Sequence, residues 1–202
     1  MRLQLLLFFL GMIVMSLDAV GQGGPPGGGQ EDYQSKDNHT GSWIDSETWE
    51  NWNDPQYTGI SNPITIYGFV ESNASLQFGT FSELVVQDTL IIHGDLTFLN
   101  KSDLFIASTG VLIVYGNFTA PSKIEIAPDG YLVVQDNMDL NNNQATADGD
   151  VTNIFVGGDK PGGEFSGVQD DSQIDDEDGS LDDFYKGNDP DNDLYSIQPD
   201  TT

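Results

Sequence analysis

The sequence predicts an all-β fold, a short single-chain β-solenoid (β-helix) of about four to five coils. Three observations predict it: a recurring apolar phrase, strict alternation inside that phrase, and turn residues at its ends. The phrase reads Ile64-Thr65-Ile66-Tyr67-Gly68, Leu90-Ile91-Ile92-His93-Gly94, Leu112-Ile113-Val114-Tyr115-Gly116, Leu132-Val133-Val134-Gln135-Asp136 and Ile154-Phe155-Val156-Gly157-Gly158. Its starts lie 26, 22, 20 and 22 residues apart. Residues two apart on a strand share a face, so each phrase presents an aliphatic pair such as Leu112/Val114 to one side. Burying one such side chain is worth about 1.5–3 kcal/mol. A lone strand has nothing to bury it against, whereas rungs stacked roughly 4.8 Å apart bury each pair on its counterparts above and below.

A second strand per coil is expected between the phrases, at Leu84-Val85-Val86, Leu104-Phe105-Ile106 and Ile124-Glu125-Ile126. Its inward pairs face the first set across a narrow core. Ser108-Thr109-Gly110 and Pro128-Asp129-Gly130 are corners where Gly is expected to supply a positive φ. A polar column follows the closing residue of each phrase: Asp95, Asn117, Asn137 and Asp159. Side chains of this type bond to corner backbone, and a ladder is favoured over a metal site.

The order of the chain gives four parts. Residues 1–21 read as a signal peptide, with Arg2, an apolar run from Leu5 to Met15, and the small residues Ala19 and Gly21 before cleavage. That run is too short for a stable membrane anchor, so no direct membrane insertion is expected. Residues 22–41, rich in Gly and Pro, read as a linker. Residues 42–163 form the solenoid with a Trp-rich N-terminal cap, and residues 164–202 an acidic, disordered tail. Residues 141–150 look too polar to form a strand like the others. The expected location is outside the cytoplasm, extracellular or periplasmic. With no Cys, stability there must come from packing rather than disulfides.

All three tryptophans, Trp43, Trp49 and Trp52, fall just before the first phrase. Two readings stand: an aromatic platform that stacks on sugar rings, or a cap over the open end of the first coil. The cap is favoured. The segment from Gly41-Ser42-Trp43 through Thr48-Trp49, the Pro-containing loop and Pro63-Ile64-Thr65-Ile66, followed by Gly-punctuated rungs, resembles short secreted β-helical surface proteins of gliding Bacteroidetes. Its Trp-rich opening is loosely similar to the glycine-eight domain. The resemblance covers about Gly41 to Gly163. It implies an adhesive, surface or envelope setting and no catalytic residues.

A formal net charge of −27 opposes binding to nucleic acid or anionic membranes. Cations suit it, and weakly bound calcium is the one cofactor candidate, with Asp189, Asp191 and Asp193 at alternate positions. The pattern is not an EF-hand, because Leu194 stands where that loop needs Gly. Enzyme chemistry is disfavoured. Arg2 is the only Arg, Lys36, Lys101, Lys123, Lys160 and Lys186 are scattered, and no Ser/His/Asp set or HExxH motif is present. His93 reads as an exposed outward residue.

The outward positions are unusual. One column reads Thr65, Ile91, Ile113, Val133, Phe155 and its neighbour Tyr67, His93, Tyr115, Gln135, Gly157. A stripe of Ile91, Ile113, Val133 and Phe155 on the outside calls for a covering partner, a second copy or the chain's own flank. The alternative is a bulge that turns the stripe into core. Asp88-Thr89-Leu90 also fits a short O-glycosylation pattern, provided Thr89 is exposed. The sequence therefore points to a non-enzymatic surface-binding or adhesin-like module that recognises a surface glycan or envelope protein. The alternative is a structural or assembly component acting through protein–protein contact, self-association included.

Overall fold

The computed structural model describes residues 32–140, 145–149 and 151–170. The expected signal peptide, most of the Gly/Pro-rich stretch and the tail with Asp189, Asp191 and Asp193 lie outside the described residues. The first coil is β1 (Tyr33–Gln34), β2 (Thr40–Ser42) and β3 (Thr58–Ile60), and the second is β4 (Ile64–Ile66), β5 (Phe69–Ser72) and β6 (Leu76–Phe78). The third is β7 (Glu83–Val86), β8 (Thr89–Ile92) and β9 (Leu96–Phe98). The fourth is β10 (Asp103–Ile106), β11 (Val111–Val114) and β12 (Phe118–Thr119), and the fifth β13 (Lys123–Ile126), β14 (Tyr131–Val134) and β15 (Met138–Asp139). The stack ends with β16 (Thr146–Gly149), β17 (Ile154–Val156) and β18 (Gln169–Asp170).

The chain visits three parallel sheets in turn, of six, seven and five strands. In the first, Ile64, Leu84, Leu104, Ile124 and Ala147 stand in one column. In the second, Val70, Leu90, Leu112, Leu132 and Ile154 do so. In the third the column is Leu76, Leu96, Phe118 and Met138. These side chains, except the partly buried Ala147, are buried in one continuous core. Phe78, Phe98 and Phe118 run through it in sequence, with ring centroids 4.8 Å apart and then 6.1 Å apart.

The solenoid is thus as expected, and several details differ. Each coil has three strands rather than two. The third strand is only two or three residues long after the first coil, as in Leu76-Gln77-Phe78 and Phe118-Thr119, too brief to give a periodic signal. Ile64-Thr65-Ile66 does not stack on the Leu90 phrase but pairs with Leu84-Val85-Val86. Its alternation is that of any half-buried strand, and so could not reveal which sheet it joins. Residues 33–41, expected as linker, supply most of the first coil's first two strands. Residues 164–170, expected as tail, return to the stack through buried Phe165 and strand β18. The polar segment Thr146-Ala147-Asp148-Gly149 is a strand because β13 presents it with a row of unpaired backbone groups. The Thr146 N–H donates to Ser122 O at 3.0 Å, and Ala147 continues the core column.

The corner glycines act through space rather than through φ. Neither Gly110 nor Gly130 has a positive φ, and it is Asp129 that carries one, at 67°. A Cβ on Gly110 would overlap the carbonyl oxygen of Val86 in the coil below, and one on Gly130 that of Ala107. Backbone oxygens in a hydrogen-bonded ladder have little room to move. Gly110→Ala is therefore expected to lower unfolding free energy by about 1–3 kcal/mol. Gly162→Ala, where a new methyl meets nothing within 4 Å, should stay within about 0.5 kcal/mol of wild type. Urea denaturation of both variants checks this, and equal midpoints would show that the corner can relax.

Candidate binding surfaces

The tryptophans divide between cap and surface. Trp43 and Trp49 are fully buried, edge to face at 5.3 Å, and the Trp49 indole N–H donates to Trp43 O at 3.0 Å. Trp43 lies edge-on to Phe78 and Trp49 to Tyr33, so the pair seals the end of the core. Neither offers a ring face to a sugar, and the platform reading is corrected for both. Trp52 is 61% exposed, but Lys36 Nζ sits 3.9 Å from its ring centroid and occupies one face.

The polar column is a hydrogen-bonded ladder. Asp95 N donates to Ser75 Oγ at 2.9 Å, Asn117 N to Asp95 Oδ1 at 2.8 Å, and Asp159 N to Asn137 Oδ1 at 2.8 Å. The Asn137 amide donates to Asn117 Oδ1 at 3.0 Å. Ser75 extends the column by one rung that the sequence pattern had not marked, because Asn73-Ala74-Ser75 lacks the closing Gly. Ser75 Oγ, Asp95 Oδ1, Asn117 Oδ1 and Asn137 Oδ1 are thus engaged with backbone and neighbouring side chains. Among the described residues no three His, Asp or Glu side chains cluster in a way that could hold a metal.

The stripe lies on the outer side of the sheet and alternation is not misphased, but Ile91 and Ile113 are only 1% exposed and Val133 0%, so the chain itself already covers them. Leu90 and Ile92 point inward at 0% exposure, while Ile91, Ile113 and Val133 form a second apolar cluster with Phe69 and Val111, apart from the main core. Thr65 does not belong to this column, since it pairs with Val85 in the six-stranded sheet. The column's first members are Ser42 and Glu71, which register with Ile91. Tyr115 and Tyr131 pack against the cluster from the flanking columns, and Phe155, half-buried, stacks against Tyr131 at 6.3 Å. Sequence reasoning found Ile91, Ile113, Val133 and Phe155 but missed Phe69 and Val111. Its phrases began one residue too late to show these as a second outward column.

His93 is not an exposed residue. Its imidazole Nε2 meets the carboxylate of Glu71, itself only 7% exposed, and its ring stacks on Tyr115 at 4.7 Å and 16°. A buried carboxylate needs such a partner, because desolvation disfavours the charge. At a nearby corner, burial pushes the Asp88 carboxyl above its usual range, the Thr89 hydroxyl pulls it back, and Asp37 adds to the rise. The folded chain thus holds this proton more tightly than the unfolded one, and Asp88 makes stability fall as pH rises through the raised range. Thr89 is 3% exposed and hydrogen-bonded to Asp88, which corrects its reading as a glycan attachment site.

Two outcomes follow from this geometry. Iodide should quench only the Trp52 part of the tryptophan emission, and Trp52→Phe should abolish the quenchable fraction. Quenching that survives the substitution would contradict the buried cap. His93→Ala should cost about 1–3 kcal/mol by stranding Glu71, and adding Glu71→Gln should recover part of it. A double-mutant cycle in urea measures the coupling, and purely additive losses would deny the pair any role.

No protein-family model, curated protein or solved structure matches this chain. What it does must be argued from these surfaces.

Proposed function

We propose that the protein is an exported, non-enzymatic β-solenoid module that binds a cell-surface partner, a glycan or an envelope protein, through the outer face of its seven-stranded sheet. The supporting observation is the asymmetry of the three sheets. Outward positions on the five-stranded sheet read Gln77, Thr97, Thr119 and Asp139, as a solvated face should. On the six-stranded sheet, polar Glu83, Asp103 and Lys123 flank Val85, Phe105 and Glu125. Only the seven-stranded sheet sets an unbroken apolar column of Ile91, Ile113, Val133 and Phe155 between aromatic flanks. Ile91, Ile113 and Val133 are themselves buried, so what the face offers a partner is the half-buried Tyr115, Tyr131 and Phe155 around them, aromatic side chains of the kind that contacts favour.

The disposition of the cationic groups favours binding over catalysis. Lys36 is held over Trp52, Lys101 lies 4.9 Å from the Phe81 ring centroid, and Lys123 pairs with Glu125 at 2.6 Å and Asp148 at 3.4 Å. These pairs are spread over separate corners and faces, so no two converge on one substrate. The resemblance to secreted surface β-helices agrees with this reading. The alternative role, as an assembly component, uses the same face against a second copy or an envelope protein.

The test compares wild type with Phe155→Asp and Tyr131→Asp in binding to a glycan array and to surface preparations of the producing cells. Sedimentation is run in parallel. Each variant is expected to lose roughly tenfold or more in affinity while melting as wild type does. Loss of a concentration-dependent mass increase instead would identify a second copy as the partner. Undiminished binding by both variants would refute the assignment of this face.

A further inference from the structure

The Trp43–Trp49 pair does not close the whole N-terminal end of the solenoid. Beside it lies an open pocket of about 190 Å³ between the edge strands β1 and β3. Its apolar lining is Tyr33, the buried Pro55 and the buried Ile60. Its polar lining is Gln56, Ser61 and Asn62. We infer that this pocket binds a single neutral sugar residue, at a site separate from the face assigned above.

Four features carry the inference. Tyr33 is the one aromatic ring in the lining, and its edge-to-face contact with Trp49 at 6.1 Å fixes its orientation. A ring held in this way gives the C–H face of a pyranose a surface to rest on. Gln56 and Asn62 each bring an amide with both donor and acceptor atoms, and Ser61 a hydroxyl, the mixed set that sugar hydroxyls require. The Ser61 hydroxyl already donates to Asn62 Oδ1 at 3.4 Å, which orients that amide. The lining has no carboxylate, ammonium, guanidinium or imidazole, so a charged ligand would find no counter-charge there. The net charge of −27 adds a long-range bias against anions.

Size and access narrow the ligand further. The volume lies below the ~300 Å³ at which drug-sized pockets begin, which suits one ring rather than a chain buried along its length. Gly59 borders the opening with a φ of 69°, and a Cβ there would meet nothing within 4 Å. The mouth is therefore clear, so the sugar could be the terminal residue of a longer glycan that extends into solvent. Trp52 is absent from the lining, and its ring is already occupied by Lys36.

The experiment is a two-dimensional amide NMR titration of the intact protein with glucose, galactose and N-acetylglucosamine. Galacturonate and glucosamine serve as anionic and cationic counterparts. At least one neutral sugar is expected to shift the amides of Gly59, Ser61 and Asn62 with a dissociation constant in the millimolar range, and the charged counterparts to bind more weakly. Gln56→Ala should weaken binding roughly fivefold. Its backbone carbonyl still accepts from the Trp43 indole, so the fold should be unaffected. Tyr33→Ala should abolish binding, with Tyr33→Phe retaining it if the ring rather than the hydroxyl acts. Shifts centred on Trp52, equal binding of galacturonate, or no shifts at tens of millimolar would each overturn the inference. None of these outcomes bears on the Phe155 and Tyr131 variants, so the two assignments fail or stand separately.

Discussion

Everything in this molecule depends on inward side chains of one coil resting on their counterparts in the next. Leu84 has no value as a core residue without Ile64 below and Leu104 above. The same holds for Leu90, Leu112 and Leu132 in the adjoining sheet. Such a stack is stabilised only between neighbours, so its two ends are its weak points. Large aromatic side chains stand at both. Trp43 and Trp49 close one end, and Phe165 is buried near the other. A cap of indoles also explains why two of the three tryptophans are unavailable for recognition. Their rings are consumed in covering the core, and only a gap beside them is left for a ligand.

The alternation and the near-twenty-residue period were legible because stacking demands them. What was not legible follows from the same physics. A strand of two residues such as Phe118-Thr119 has room for one inward side chain and shows no period. The strand Thr146-Ala147-Asp148-Gly149 looks like a loop because its pairing comes from the exposed edge of β13 rather than from its own side chains. Ile64-Thr65-Ile66 was placed in the wrong sheet because alternation reports burial, not partners. Of the candidate features, the Ile91–Ile113–Val133–Phe155 column could be read directly. The His93–Glu71 pair could not, because its members lie 22 residues apart and meet only through the register of β5 and β8. The pocket was equally hidden, since Tyr33 and Asn62 come together only when residues 33–42 join the first coil.

The apolar outer face raises a question of design. A solenoid needs alternation only to fill its interior, and the outer positions are free to be polar, as Gln77 and Thr97 are. Three successive coils nevertheless place Ile91, Ile113 and Val133 on the outer side of the sheet, where they are buried in a second cluster with Phe69 and Val111. β-Branched residues favour strands, which accounts for part of the choice. Propensity alone does not explain a buried Glu71 at the head of the column, where Thr would suit a strand better. A buried carboxylate that needs the His93 imidazole as its partner, with that ring stacked in turn on Tyr115, is a costly way to end an ordinary face. It fixes the position of Tyr115 and so shapes the edge of the surface.

The uneven spacing of the phrases, first an irregularity of the sequence, turns out to report which corner is rigid. From the second coil to the fifth, the chain advances six residues each time it passes from the second sheet to the third: Val70 to Leu76, Leu90 to Leu96, Leu112 to Phe118, Leu132 to Met138. This is the corner of the Ser75–Asp95–Asn117–Asn137–Asp159 ladder. There each side chain bonds to the coil beside it, and a Cβ on Gly116 or Gly158 would come within 2.5 Å of a ladder oxygen. An added residue would break both the hydrogen bonds and the close approach. Among the described residues the other two corners carry only isolated side-chain bonds between coils, such as Lys101 N to Ser122 Oγ at 2.7 Å, and between the third coil and the fifth they exchange length. From the first sheet to the second the step grows from six residues, Leu84 to Leu90, to eight, Leu104 to Leu112. From the third back to the first it shrinks from eight, Leu96 to Leu104, to six, Phe118 to Ile124. The coils that start at Ile64, Leu84 and Leu104, each 20 residues long, thus differ in where the slack lies. The rigid corner borders the seven-stranded sheet, and it keeps His93, Tyr115 and Gln135 in strict register along the proposed contact face.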